Sequence, residues 1–161
     1  MARGLPLDGG RRSRLVASVT MRPADLRRHC LAQPGAVEQF PFTPQHSVFK
    51  VAGKMFALSA LRHRPLKVSV KCDPELALQF RASYDSVEPG WHLNKRHWNT
   101  ITLGGDVPDR LVRDMIEDSY DLVVAALPRR ERERLRTLAA VASDSADSAA
   151  TTASSGTTGT R

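Results

Sequence analysis

The sequence predicts an α+β domain, an antiparallel sheet carrying its helices on one face. Three observations predict it. Short β-type segments follow one another before any long helix is reached, residues 66–72 alternate strictly between apolar and polar, and residues 108–127 carry an apolar stripe at helical spacing.

Each element has its own signal. Pro23 occupies the first turn of a short opening helix, Asp25 follows near its positive end, and Leu26 and Cys30 share a face four residues apart. Pro34-Gly35 stops that helix. Strands are expected over 37–42 (VEQFPF), 47–51 (SVFKV) and 54–61 (KMFALSAL), with Ala52-Gly53 as a tight hairpin between the last two. Leu66, Val68, Val70 and Cys72 then alternate with Lys67, Ser69 and Lys71, a strand with one apolar and one basic face. Asp73-Pro74-Glu75 combines a capping carboxylate, a first-position proline and an acid near the dipole's positive end, and it starts a helix whose buried face is Leu76 and Phe80.

WNTITL (98–103) reads as the next strand, with Ile101 and Leu103 on one side and Trp98, Thr100 and Thr102 on the other, and Gly104-Gly105 ends it. In the helix near 108–127, Leu111, Met115, Leu122, Val123 and Ala126 form one stripe, with Val112, Ile116 and Ser119 beside it. The default role for Ser119 and Tyr120 is packing with a hydrogen-bonded hydroxyl. Pro128 interrupts, and RRERERLRTLAAVA continues as a charged helix with Leu135 and Leu138 on its thin apolar side.

The chain has 161 residues, 41% of them hydrophobic, with 24 Lys+Arg against 17 Asp+Glu and a formal charge of +7. No apolar run approaches the roughly 18–20 residues of a membrane span. Two cysteines, Cys30 and Cys72, supply neither a disulfide scaffold nor a four-cysteine zinc site. A basic, cytoplasmic single domain is the class that remains. Its charge is uneven: Arg3, Arg11, Arg12 and Arg14 against Asp8 give residues 1–20 a net +3, residues 21–142 hold +5, and residues 143–161 hold −1. The first 20 residues, broken by Gly4, Gly9 and Gly10, are expected to be a disordered basic leader outside the native chain, which would start at Met21. The Ser/Thr/Ala-rich stretch 143–161 has no large apolar side chain and is expected to be a disordered tail, leaving a domain over 21–142.

The most unusual stretch is PGWHLNKRHWNTI (89–101), with two His, two Trp, two Asn, a Lys and an Arg on a loop and a strand start. With PFTPQHSVFKVAGKMFAL (41–58), VSVKCDPELA (68–77) and DSYDLVVAALP (118–128), it resembles the MmcQ/YjbR family of small bacterial proteins. The resemblance implies a compact two-layer α+β fold with a five-stranded sheet. It also implies a proposed DNA-binding role through a double-wing arrangement of hairpin loops beside a helix. It brings no catalytic residues.

For nucleic acid, Lys71, Lys95 and Arg96 are the candidate phosphate contacts, extended by Lys67. His92 and Asn94 are candidate hydrogen-bond donors, and Trp98 offers a stacking face. An alternative reading makes the loop a hydrogen-bonded lock in which His92, Asn94 and Asn99 satisfy backbone groups and Trp98 covers a sheet face. The parity of Trp98 places it opposite Ile101 and Leu103. A second function class uses the same loop as a pocket for a small anion, or as a protein-interaction surface.

Chemical readings are weaker. His92 and His97 are five apart, which suits no helical metal pair, so no metal or cofactor is expected. Cys72 shares parity with Leu66, Val68 and Val70, which favours a buried structural thiol over a nucleophile paired with His. No P-loop, G-x-S-x-G, dinucleotide fingerprint or H-E-x-x-H occurs, so no enzyme signature is present. The run Arg129–Arg136 interleaves Glu131 and Glu133, which describes a solvated helix face.

Overall fold

The computed structural model describes residues 20–152, and the expectations for 1–19 and 153–161 lie outside that range. The elements in chain order are α1 (Pro23–Leu31), β1 (Ala36–Gln39), β2 (Ser47–Val51), β3 (Lys54–Ser59), β4 (Lys67–Lys71), α2 (Pro74–Ser83), β5 (Val87–Pro89), β6 (Trp98–Thr102), α3 (Asp109–Ala125) and α4 (Arg129–Thr152). The strands form one antiparallel sheet in the order β1-β2-β3-β4-β6-β5. The α+β class is as the sequence predicts, with six strands where five are expected.

The sixth strand, β5, is three residues long and contains Glu88 and Pro89, so it shows no alternation that a sequence reading could find. It holds by pairing with β6, and the Asp106 carboxylate fixes its entry by accepting from the backbone N–H groups of Asp85 (2.8 Å) and Ser86 (3.0 Å). The first strand ends at Gln39 rather than residue 42, leaving Phe40 and Phe42 exposed. Ala52 (φ 47°) and Gly53 (φ 75°) both take left-handed conformations, the geometry that a two-residue hairpin demands.

α3 lies across β2, β3 and β4 and buries Val112, Met115, Ile116, Ser119, Tyr120 and Val123. The buried stripe is therefore centred on the residues expected beside it, while Leu122 sits at its solvent edge. α2 differs more. Its fully buried residue is Ala77; Leu76 is 46% exposed and Phe80 half-buried. The helix meets the sheet through a small residue and a hydrogen-bonding side chain (Arg81, below), which rotates Leu76 away from the core. At the C-terminal end, Leu135 of α4 packs over Gly35, whose φ of 70° is the left-handed conformation that favours glycine. α4 continues to Thr152, ten residues past the expected domain edge, with 143–148 wholly exposed.

Ser119 joins the two layers. Its hydroxyl donates to the Phe56 carbonyl (2.6 Å) and accepts from the Lys71 backbone N–H (2.8 Å), bridging α3 to β3 and β4. Tyr120 meets the Phe56 ring edge-on and donates to the Pro34 carbonyl (2.6 Å). Ser119→Ala strands a buried carbonyl and a strand-end N–H, so urea denaturation should show a loss of about 3 kcal/mol with the m-value unchanged.

Candidate functional site

The loop between β5 and β6 is held closed by three sets of contacts. The Gly90 backbone N–H donates to the Trp98 carbonyl (2.7 Å), and no side chain fits at Gly90, where a Cβ would lie 2.6 Å from the Trp98 Cβ. At the loop's turn, Asn94 Oδ1 accepts from the Arg96 N–H (3.0 Å), while its carbonyl accepts from the His97 and Trp98 N–H groups. Behind the turn lies Arg81, the residue that sequence reasoning missed. From α2 its Nε donates to Asn99 Oδ1 (2.7 Å), and its terminal nitrogen donates to the carbonyls of Lys95 and Trp98. Asn99, fully buried in β6, donates from Nδ2 to the Ala77 carbonyl (3.3 Å). Only a count of buried donors and acceptors, which needs the fold, would have singled out Arg81.

This arrangement sorts the residues of the 89–101 segment into two groups. Trp98 and Asn99 face inward, Trp98 at 9% exposure and Asn99 anchoring Arg81, while Asn94, itself exposed, makes the turn through its side-chain oxygen. His92, Lys95, Arg96 and Trp91 face outward. Trp91, at 69% exposure, is the open indole, and its ring lies 4.2 Å from that of His92 at a 48° tilt. His92 takes a left-handed backbone (φ 55°), uncommon for a non-glycine residue. The Lys95 ammonium lies 3.5 Å from the Gly90 carbonyl, next to Trp91 in the chain. Lys71 pairs with Trp98 in the β4–β6 register and is half-buried; Lys67 is engaged by Glu88 at 3.3 Å.

Next to the Lys71 end of β4, a groove of about 430 Å³ separates α2 from α3. Leu76 and Phe80 form one wall, Met115 and Leu122 the other, and Val70 and Cys72 the floor. Asp73, Asp118 and Asp121 stand at its edges. Lys95 and Arg96 do not line it.

Both thiols are buried and held protonated. Burial, with a smaller contribution from Glu38, pushes Cys30 up to about 12, and burial followed by Asp73 and Asp118 raises Cys72. Neither is a poised thiolate.

A family model described as YjbR matches residues 31–122. The protein YbdF of Escherichia coli O157:H7 is 40% identical over 111 residues, covering 68% of this chain and 90% of its own. YjbR of Escherichia coli K12 is 35% identical over 116 residues, covering 71% and 98%. The crystal structure of the Deinococcus radiodurans protein DR2400 superposes with a TM-score of 0.67 at 40% identity, covering 71% of this chain and 88% of that one. A Pseudomonas syringae protein superposes at 0.56 with 25% identity, covering 63% and 98%.

Two measurements test this geometry. Arg81→Met should cost about 2 kcal/mol in chemical denaturation and speed amide exchange across 94–98 far more than in α3. Alkylation by iodoacetamide at about pH 8 should be much slower at Cys30 and Cys72 than for a free thiol, and become normal only in denaturant.

Proposed function

This chain belongs to the YjbR family, and from that premise we propose that it is a non-enzymatic, cytoplasmic protein that binds DNA through the loop between β5 and β6. Lys95, Arg96 and Lys71 contact phosphate. His92 and the exposed Trp91 offer rings to a nucleobase. Asn94 and Trp98 hold the loop in shape rather than touching nucleic acid themselves. The observation that carries the reading is the outward pairing of Trp91 with His92 on a loop that also exposes Lys95 and Arg96. Cation and aromatic face together are what single-stranded or distorted nucleic acid engages.

The loop favours a surface contact over an enclosed anion pocket, because Trp91, His92, Lys95 and Arg96 are all exposed. Among the described residues no helix is long and apolar enough to cross a membrane. The net charge of +7 permits a polyanionic partner without choosing one.

Titration of the full chain with duplex DNA at several salt concentrations should give a log–log slope of roughly −0.9 per phosphate contact. The Lys95→Ala, Arg96→Ala pair should shrink that slope by about two contacts, whereas Arg11, Arg12 and Arg14→Gln should leave the loop's share intact. With oligothymidylate, the emission of exposed Trp91 should be quenched, and Trp91→Leu should weaken binding by about tenfold. Binding unchanged in the double variant would remove the loop from this role. Salt-independent binding would favour a small ligand or a protein partner instead.

A further inference from the structure

The groove between α2 and α3 is distinct from the loop and has the opposite character. Its walls are apolar, and Leu76 (46% exposed) and Leu122 (37% exposed) leave hydrocarbon open to water on both sides. Three aspartates and one lysine, Lys71, carry its charge. Asp73 spends its carboxylate capping α2, accepting from the N–H groups of Glu75 (2.9 Å) and Leu76 (3.4 Å). Asp118 and Asp121 have no such use, and neither has a salt-bridge partner among the described residues.

Their placement on α3 is unfavourable in isolation. Asp114, Asp118 and Asp121 follow one another at spacings of four and three, so like charges face each other along one helix edge. Burial, then Asp121 and Asp114, raises the Asp118 carboxyl above its usual range. Lys71, half-buried, is the groove's one cation, and it forms a salt bridge with neither Asp118 nor Asp121 among the described residues. An arriving cation would relieve this edge.

We propose that this groove binds a small organic cation: an apolar body between Leu76, Phe80, Met115 and Leu122, with its ammonium against Asp118 and Asp121. The volume of about 430 Å³ lies within the span of small-molecule sites, and charge complementarity selects the sign of the ligand. Neither Lys95 nor Arg96 borders the groove, and Lys71 is the one residue it shares with the proposed nucleic-acid surface.

The test uses the full chain and three probes of one shape: 4-phenylbutylamine, 4-phenylbutanol and 4-phenylbutyrate. Backbone amide NMR should show the amine shifting residues of α2 and α3 around Leu76 and Leu122. Its affinity should exceed that of the alcohol by about fivefold and that of the carboxylate by more. The Asp118→Asn, Asp121→Asn pair should bring the amine down to the alcohol, with the folded state no less stable because like-charge repulsion is removed. Leu122→Ala should weaken amine and alcohol alike. Equal affinity for amine and carboxylate, shifts confined to other surfaces, or no binding by any probe up to about 10 mM would overturn the proposal. So would a basic amphipathic peptide that binds the groove where the amine alone does not, because the groove would then be a protein-docking surface.

Discussion

The Arg81 guanidinium is the constraint on which the rest of this surface depends. It reaches from α2 to a buried amide on β6 and to two loop carbonyls, so one side chain fixes the helix, the strand and the loop relative to one another. A planar donor with its nitrogens in a fixed fork suits this task, because each carbonyl it satisfies would otherwise be a stranded acceptor. Asn99 completes the arrangement by passing the connection on to the Ala77 carbonyl. With the inward side of the loop bound this tightly, its outward residues stand on a rigid base. Ordering a flexible loop at the moment of binding would cost entropy that this one has already lost in folding.

Most of the fold was legible because period and punctuation agree. The alternation at 66–72, the Asp-Pro-Glu helix start and the Ala52-Gly53 hairpin each state a local geometry that the tertiary structure keeps. Two of the failures share one cause. β5 exists only because β6 offers it hydrogen bonds, and α2 turns Leu76 outward only because Arg81 and Ala77 claim its inner face. Both depend on residues distant in sequence, which a local pattern does not contain.

The loop divides along the same line. Its composition announced an unusual site but not which residues were spent internally. Trp98, which looks like a ligand contact in a string of letters, is taken up by packing, and Asn94 gives its side-chain oxygen to the turn. Trp91, with no periodicity to mark it, is the ring left in the open. The parity argument placed Trp98 opposite Ile101, yet burial there is deep, so the second sheet face is not the bare surface that parity alone would suggest. On that face Val48, Ser69 and Thr100 are also buried, and Ser69 and Thr100 share a hydrogen bond at 2.7 Å.

Charge shows why the Arg81 arrangement does more than hold a shape. Every hydrogen-bond acceptor of its guanidinium is neutral: an amide oxygen and two backbone carbonyls. No carboxylate lies within ion-pair distance of it among the described residues. Lys67, by contrast, is offset by Glu88, and Arg129 by Glu133. Net charge therefore does not describe the surface by itself, since some of its cations are cancelled close by while this half-buried one is not. A positive charge set behind the loop and screened less than a fully exposed one biases the whole loop toward anions, whichever residue touches the ligand.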